Sequence, residues 1–396
     1  LKILIHNYGG YPYSRQLAEC LTRRGHEVEY LYSQTTQQIQ RVARHAEQPN
    51  LSIRPIVLAG EFNKYAFLRR RAGETEHGRR MAQEIGRFRP QVVLSADTPL
   101  DAQRIIQREC RRQGAKFVFW LQDMIGLATR RILGRKLGWI GDWIGRYYQG
   151  LERRLLRGSD MIIANSPDFV PLLRGWGIGQ ERVRVIENWA PLEELPVQPK
   201  RNPWSEKMGL ADSFCFLYTG ILGFKHDPQA FVQLAQAFDT LPQVWVVVVA
   251  DGEAAGWLRQ EKARLGIEQL VVLSYQPAEE YAQVLGTGDV LLTVLNGEAG
   301  SYSVPSKVLS YLCAGRAQLL SISPTNLAAR TVLESQAGLV SASGETEKWL
   351  SNAKKLYEEQ GLREQMGANA RQYAETKFDI ERITDRFEEI IAACCK

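Results

Sequence analysis

The chain has 396 residues, 44% hydrophobic and 24% charged, with 50 Lys and Arg against 44 Asp and Glu. That length exceeds one comfortable hydrophobic core, so two domains are the default, and the composition excludes a disordered or fibrous chain. The net charge of +6 favours phosphate-bearing ligands or an anionic membrane surface, and is not by itself a nucleic-acid signature. No apolar run reaches the roughly 20 residues of a spanning helix. The opening LKILIH reads as a strand rather than a signal peptide, and Cys20, Cys110, Cys215, Cys313, Cys394 and Cys395 show no CxxC spacing. The expectation is a reducing cytoplasm, with neither a zinc site nor a disulfide framework.

In chain order, short apolar runs alternate with longer amphipathic stretches. KILIH, VEYLY, QVVLSAD, KFVFWLQ and MIIANS read as buried strands, and SRQLAECLTRRG as a helix ending at Gly25. Strands separated by helices predict βαβ units and a parallel sheet. The alternation pauses over residues 187–204, where Pro191, Pro196, Pro199 and Pro203 interrupt the periodicity; this reads as a linker. It then resumes with FCFLYTG, VWVVVVADG, LVVLSYQ, VLLTVL, AQLLSIS and AGLVSA as strands. DPQAFVQLAQAF, AAGWLRQEKARLG, AEEYAQVLGTG, SKVLSYLCAG and TNLAARTVLESQ are the helices between them. Two α/β domains are expected, 1–190 and 205–375, with a linker at 191–204. Ligands of such sheets sit beyond the carboxyl ends of the strands, so two facing domains would offer a nucleotide one wall and a second substrate the other.

Two stretches carry chemistry. In YTGILGFKHD, residues 218–227, Gly220 and Gly223 permit a tight turn with free backbone N–H groups, and Lys225 adds a positive charge. Glycines, a cation and a following helix N-terminus form an anion cradle, although the spacing is neither a dinucleotide fingerprint nor a P-loop. An ordinary βα turn with a surface lysine has the same sequence. In GSYSVPSKVLSYLCAGR, residues 300–316, Pro305 opens a helix that Ser303 or Ser306 can cap and Gly315 ends. Lys307 falls in the first turn, where the macrodipole disfavours a cation. Such a lysine implies a bound anion, or else a solvated ammonium whose stem covers apolar surface. Together the two lysines and their loops could hold a diphosphate, each charge-assisted contact being worth roughly 1.5–3 kcal/mol.

The ordered set YTGILGFK, VVVADGE, VLSYQPAEEYAQVLGTGDVLL and SVPSKVLSYLCAGR resembles the second domain of retaining glycosyltransferases of the large family-four group, which have the GT-B architecture. NYGGYPYSRQLAECLTRRGHEV, SDMIIANSPDF and VRVIENWA are similar to the same family, so the likeness covers nearly the whole chain. The PSK segment is similar to a bacterial subgroup that builds polysaccharides and lipid-linked saccharides. The resemblance implies two Rossmann-like domains facing across a cleft, with a helix at 376–396 crossing back to the first. It implies that Lys225, with the backbone at Gly220–Gly223, holds the donor diphosphate and so serves catalysis. Ser274, Tyr275 and Gln276 would line the nucleobase, while Ser303, Val304 and Lys307 would meet the distal phosphate and sugar. Gly9 and Gly10 would close over the donor from the other domain.

Departures from the family pattern matter. Its Glu-x7-Glu pair falls at Tyr302 and Ser310, so both carboxylates are missing. Ser310 would offer the ribose a weaker contact, and sugar recognition must be rewritten. The arginine ahead of the lysine is absent from GILGF. The first-domain histidine is replaced by Gln122, which can hydrogen-bond a sugar hydroxyl; Asp123 beside it would bind sugar or acceptor, or merely cap a helix. His6, His26, His45, His77 and His226 form no ligand cluster, and there is no Asp-x-Asp. The want of a clear nucleophile fits front-face retention, in which the protein stabilises the departing diphosphate and the incoming hydroxyl passes its proton to a phosphate oxygen. No metal and no cofactor beyond the nucleotide-diphosphate sugar are expected.

RRILGRKLGWIGDWIGRYYQGLERRLLRG, residues 130–158, has helical order. Leu133, Leu137, Ile140, Ile144, Tyr147, Leu151 and Leu155 share one face, and Arg131, Arg135, Asp142, Arg146, Arg153 and Arg157 the opposite one. Gly134, Gly138, Gly141 and Gly145 permit close packing or mark a break, since interior glycines cost about 1 kcal/mol each. With Trp139 and Trp143, this helix can lie on an anionic bilayer, or its apolar face can cover the sheet. A second basic run, FLRRRAGETEHGRRM at 67–81, lies in the same domain, and FDIERITDRFEEIIAACCK is a final amphipathic helix whose acidic face could pair with basic residues of the first domain. The expectation is a cytoplasmic glycosyltransferase, peripheral on the inner face of the membrane, acting on a polysaccharide or lipid-linked saccharide, with no nucleic-acid partner. The rivals are a nucleotide-sugar epimerase, which needs paired carboxylates that the sequence does not display, and a non-catalytic nucleotide-sugar-binding homologue, which the missing glutamates keep open.

Overall fold

The computed structural model describes residues 1–34, 48–58, 67–297, 299–301 and 303–395. His45 and Tyr302 lie outside them. The chain divides into two compact units, Leu1–Asn188 with Ile380–Lys396, and Trp189–Asp379.

The first unit runs β1 (Lys2–Asn7), α1 (Pro12–Arg23), β2 (Glu27–Ser33), β3 (Leu51–Ile56), α2 (Phe67–Phe88), β4 (Val92–Ala96) and α3 (Leu100–Gln113). It continues through β5 (Lys116–Leu121), α4 (Ile125–Arg157), β6 (Met161–Ala164), α5 (Phe169–Gly175) and β7 (Val183–Val185). Its strands form one parallel sheet in the order β3-β2-β1-β4-β5-β6-β7. Buried on both faces, β1, β4 and β5 are near-continuous apolar runs, as helices on both sides of a parallel sheet require. β3 escapes the periodicity because Pro55 interrupts it; at the sheet edge the missing N–H is tolerated.

The second unit runs α6 (Pro203–Lys207), β8 (Phe214–Thr219), α7 (Gln229–Ala237), β9 (Val244–Val249), α8 (Glu253–Leu265) and β10 (Leu270–Leu273). After these come α9 (Tyr281–Thr287), β11 (Val290–Val294), α10 (Lys307–Cys313), β12 (Ala317–Ser321), α11 (Leu327–Glu334), β13 (Gly338–Ser341), α12 (Thr346–Glu358) and α13 (Gln360–Lys377). The sheet is parallel, ordered β10-β9-β8-β11-β12-β13. The proline-rich stretch is built into this unit. Trp204 is buried, Lys200 pairs with Asp289 at 2.7 Å, and Asn202 caps α6 by accepting the Trp204 and Ser205 N–H groups at 3.0 Å.

α4 is not the straight helix that residues 130–158 predict. Gly138 breaks it (φ 57°, ψ −134°), and the two arms fold back antiparallel. A Cβ on Gly141 would overlap the Leu133 carbonyl, and one on Gly145 the Arg130 backbone. Arg130 crosses the seam to Asp142 (2.9 Å) and Gln149 (3.0 Å), and buried Glu152 accepts the Gly126 N–H at the start of the first arm (3.1 Å). The single apolar face therefore does not exist: Leu151 and Leu155 join the core, while Leu137 and Ile140 are exposed. In α2 the other basic run is engaged in ion pairs, Arg70 with Glu74, Arg71 with Asp101 and Arg80 with Glu76.

The last helix, α14 (Ile380–Cys395), belongs to the first unit. Phe387 packs edge-on against Trp120, ring centroids 4.9 Å apart. Its acidic face meets the end of α1: Arg24 reaches Glu381 (2.8 Å), Asp385 (2.6 Å) and Glu388 (2.5 Å), and His26 contacts Glu388 at 2.8 Å. Hydrogen bonds from Arg24 and then Arg23 hold the Glu381 carboxyl down at about 2. Because the partners are partly exposed, Arg24→Ala should cost about 1–2 kcal/mol, a fall of roughly 2–8 °C in the thermal midpoint of a unit this size. Thermal unfolding of the variant measures it.

Candidate functional site

The second unit gathers most of the predicted donor residues at one carboxyl edge. β8 ends at Thr219, and the chain turns at Gly220 (φ 123°) into a short helical turn, Phe224–His226. β11 pairs with β8 only through Phe216 and Leu217, so the two strands part beyond that point. Tyr311, from α10, enters the gap, and its hydroxyl accepts the Thr219 N–H at 3.0 Å. One turn earlier on α10, Lys307 places its Nζ 3.4 Å from the Tyr218 ring centroid, beneath Gly220. The residue is half-buried, yet this nitrogen is sealed from solvent and has no hydrogen-bond partner. Burial, and then the Lys225 charge, pull its pKa well below that of an ordinary lysine.

Lys225 is exposed and reaches the Ser303 hydroxyl at 3.5 Å. Its carbonyl accepts the Asn296 N–H (2.8 Å), and Asn326 donates to Gly300 O and Ser303 O at 2.8 and 2.9 Å. Ser303 and Val304 thus lead into Lys307 with the Ser303 carbonyl held by Asn326. His226 is buried: its Nδ1 accepts the Gly223 N–H at 3.1 Å, and burial together with Lys307 and Lys225 lowers its pKa to about 3. It is a neutral brace inside the turn, not a solvent-facing residue. Gly223 has an ordinary φ of −103° and open space where a Cβ would stand, so of the two glycines only Gly220 is demanded by the backbone.

Ser274, Tyr275 and Gln276 follow β10 on the same edge. Asp251, at the end of β9, ties them to the turn: its carbonyl accepts the Leu222 N–H (2.8 Å) and its carboxylate the Tyr275 N–H (3.3 Å). Gln276 accepts from Trp204 Nε1 at 3.1 Å. Ser310 lies half-buried on α10. Asp251 stood in the ADGE segment without an assigned role; its bridging is a property of neighbouring strands that the linear sequence conceals.

Gly9, Gly10, Gln122 and Asp123 belong to the first unit. Gly10 (φ 65°) turns the chain after β1. Gln122 is buried, and its carbonyl accepts from Asn165 (3.0 Å) and Asn188 (2.6 Å), leaving its Nε2 buried without a partner. Asp123 is exposed. Sequence reasoning missed Asp97, which follows β4 in the left-handed region (φ 53°) and accepts from the Tyr13 hydroxyl at 3.1 Å. Loss of solvent, reinforced by the nearby Asp123 carboxylate, pushes its pKa up to about 7. Behind it, His6 and His77 share one hydrogen between their Nε2 atoms at 2.9 Å, and burial holds both neutral, His77 at about 3.

Gly220→Ala would force a side chain onto φ 123° and set its Cβ 3.3 Å from Lys307 Nζ. A loss of about 1–3 kcal/mol in denaturant unfolding is expected, with Gly223→Ala near neutral as the control.

Residues 9–189 match the model of the glycosyl transferase 4-like domain. HepE from Anabaena, solved with UDP and glucose, superposes with a TM-score of 0.74 at 15% identity, covering 99% of both chains. Sucrose-phosphate synthase from Thermosynechococcus elongatus superposes with a TM-score of 0.74 at 14% identity, covering 99% of this chain and 98% of that one. WaaG, a glycosyltransferase of lipopolysaccharide biosynthesis, gives 0.67 at 14% identity over 99% of both chains. No curated protein matches the chain. At these identities the structural likenesses establish the fold. Residues 9–189 are thus similar to a glycosyl transferase 4-like domain, and the chain as a whole has the GT-B fold.

Proposed function

We propose that the chain is a retaining, metal-independent transferase that moves a sugar from a uridine-diphosphate sugar to a polysaccharide or lipid-linked saccharide, on the cytoplasmic face of a membrane, as in the PSK subgroup. One observation carries the reading: Lys307 Nζ is sealed beneath Gly220 without a hydrogen-bond partner, beside a second cation, Lys225. A diphosphate supplies the acceptors and negative charge that this pair lacks. HepE was solved with UDP-glucose, and a trehalose-6-phosphate protein from E. coli with UDP-2-fluoro glucose, which supports a uridine nucleotide.

In this reading Lys225, Lys307 and the backbone after Gly220 hold the diphosphate and stabilise the charge it gains as the sugar leaves. Ser274 to Gln276 flank the base through their backbone, Ser310 touches the ribose, and Ser303 and Val304 shape the sugar end. In the first unit Gly9 and Gly10 cover the donor, and Gln122 and Asp123 meet sugar or acceptor hydroxyls. Asp97, when ionised, accepts a hydrogen bond from an acceptor hydroxyl.

Lys225→Ala should weaken UDP binding in calorimetry and lower turnover at least about tenfold, since one charge-assisted contact is worth roughly 1.5–3 kcal/mol. Lys307→Met should do the same. Unchanged kinetics in a folded variant, or binding without turnover across a panel of donor sugars, would overturn the reading; an epimerised donor would point to the epimerase instead.

The carboxyl of Asp97 sits at about 7, so kcat/KM for the acceptor should rise as pH passes upward through that value. In Asp97→Asn that limb should flatten.

A further inference from the structure

The hairpin at Gly138 has a composition that the core does not explain. Six of the thirteen exposed large hydrophobic residues among those described lie on it: Ile132, Leu137, Trp139, Ile140, Trp143 and Tyr147. The other seven are dispersed along the chain, Ile221 and Phe224 flanking the Gly220 turn. Trp139 is 82% and Trp143 71% exposed, large values for the residue type that gains most from burial. Residues 125–157 also hold eight Lys and Arg against two Asp and Glu. That excess of six is the net charge of the whole chain, so the rest is formally neutral. Of the two acids, Asp142 is paired with Arg130 and Arg146, and Glu152 is buried. Arg131, Arg135, Arg146 and Arg153 are exposed on the arms.

An apolar, tryptophan-bearing tip between basic arms matches one chemistry, an anionic lipid surface. Nucleic acid would use the arginines but not the aliphatic tip, and a second copy would set two such positive hairpins against each other. No described helix is long and apolar enough to cross a membrane. We propose that the hairpin docks at the interface, with Leu137, Trp139, Ile140 and Trp143 at the headgroup–acyl boundary and the arm arginines on lipid phosphates. The Gly141 and Gly145 backbone contacts make the tip a rigid wedge rather than a loose loop. This deepens the proposed function and rests on it only for purpose, since a lipid-linked acceptor requires the enzyme at a bilayer. Its test involves no sugar transfer.

The full chain is sedimented with vesicles of phosphatidylcholine alone or mixed with phosphatidylglycerol. Partition onto the mixed vesicles should exceed that onto the neutral ones by about tenfold or more and fall with added salt. The double variant W139S/W143S and the separate variant R131E/R135E should each lose about tenfold or more, with unchanged thermal unfolding because the altered side chains are exposed. Equal partition of the tryptophan variant and the parent, or no preference for anionic vesicles, overturns the proposal. So does light scattering that finds a lipid-free dimer abolished by W139S/W143S, because the tip would then be a contact between copies of the chain.

Discussion

A lysine nitrogen held away from water without a hydrogen-bond partner governs the carboxyl edge of the second unit. Lys307 Nζ has three things against it: burial, the like charge of Lys225, and its place at the start of α10. Taking a cation out of water costs several kcal/mol, of which the Tyr218 ring beneath it returns only about 2. The fold sustains that cost because the surrounding pieces cannot relax independently. Gly220 lies over the nitrogen, Tyr311 fixes α10 to the end of β8, and His226 braces the turn without adding charge. A bound diphosphate, as proposed above, would supply the opposing charge and the hydrogen-bond acceptors that this nitrogen lacks.

That arrangement begins in the sheet. β8 and β11 pair through only two residues before they part, so the last N–H of β8 needs a partner from elsewhere. Tyr311 supplies it, and the same helix then carries Lys307 to the place where the strands have opened. Asp251 performs the matching task on the other flank, joining the turn after β8 to the segment after β10 across the intervening strand. The site is a consequence of strand divergence, with side chains closing the hydrogen bonds that the ladder leaves open.

How much of this was legible follows from which signals are local. Runs such as KILIH and VWVVVV declare their strands because both faces are buried, and the Gly220–Lys225 spacing marked the turn. β3 was not legible, because Pro55 breaks its pattern and only the sheet order reveals an edge where proline is tolerated. The helices over Thr346–Lys377 were passed over too, lying beyond the last motif. For residues 130–158 the periodicity misled: a helical wheel assumes one axis, and Gly138 creates two. The glycine stripe was the correct signal, for it marked both the seam and the break. Asp97 left no trace in the sequence at all, since its importance lies in a positive φ and in a second carboxylate 26 positions away in the chain.

The two units differ in the charges they keep near their strand ends. The second concentrates cations, Lys225 and Lys307, with a histidine too buried to protonate near neutrality. The first concentrates carboxylates, Asp97 and Asp123, beside Gln122, whose carbonyl two asparagines already occupy and whose Nε2 is a donor, backed by a neutral imidazole pair. Front-face glycosyl transfer, the reaction proposed for this chain, would make two such demands. Negative charge develops on the leaving diphosphate and requires fixed positive groups, while a neutral hydroxyl must be oriented by hydrogen-bond acceptors that do not compete for the phosphate's role as base. A carboxyl whose pKa lies near 7 is suited to the second task, because it binds a hydroxyl when ionised yet is too weak a base to strip it outright. In the proposed reading, Ser310 standing where the resemblance expects a glutamate would leave the cationic half intact. The chemistry of departure would then be separable from the recognition of the particular sugar.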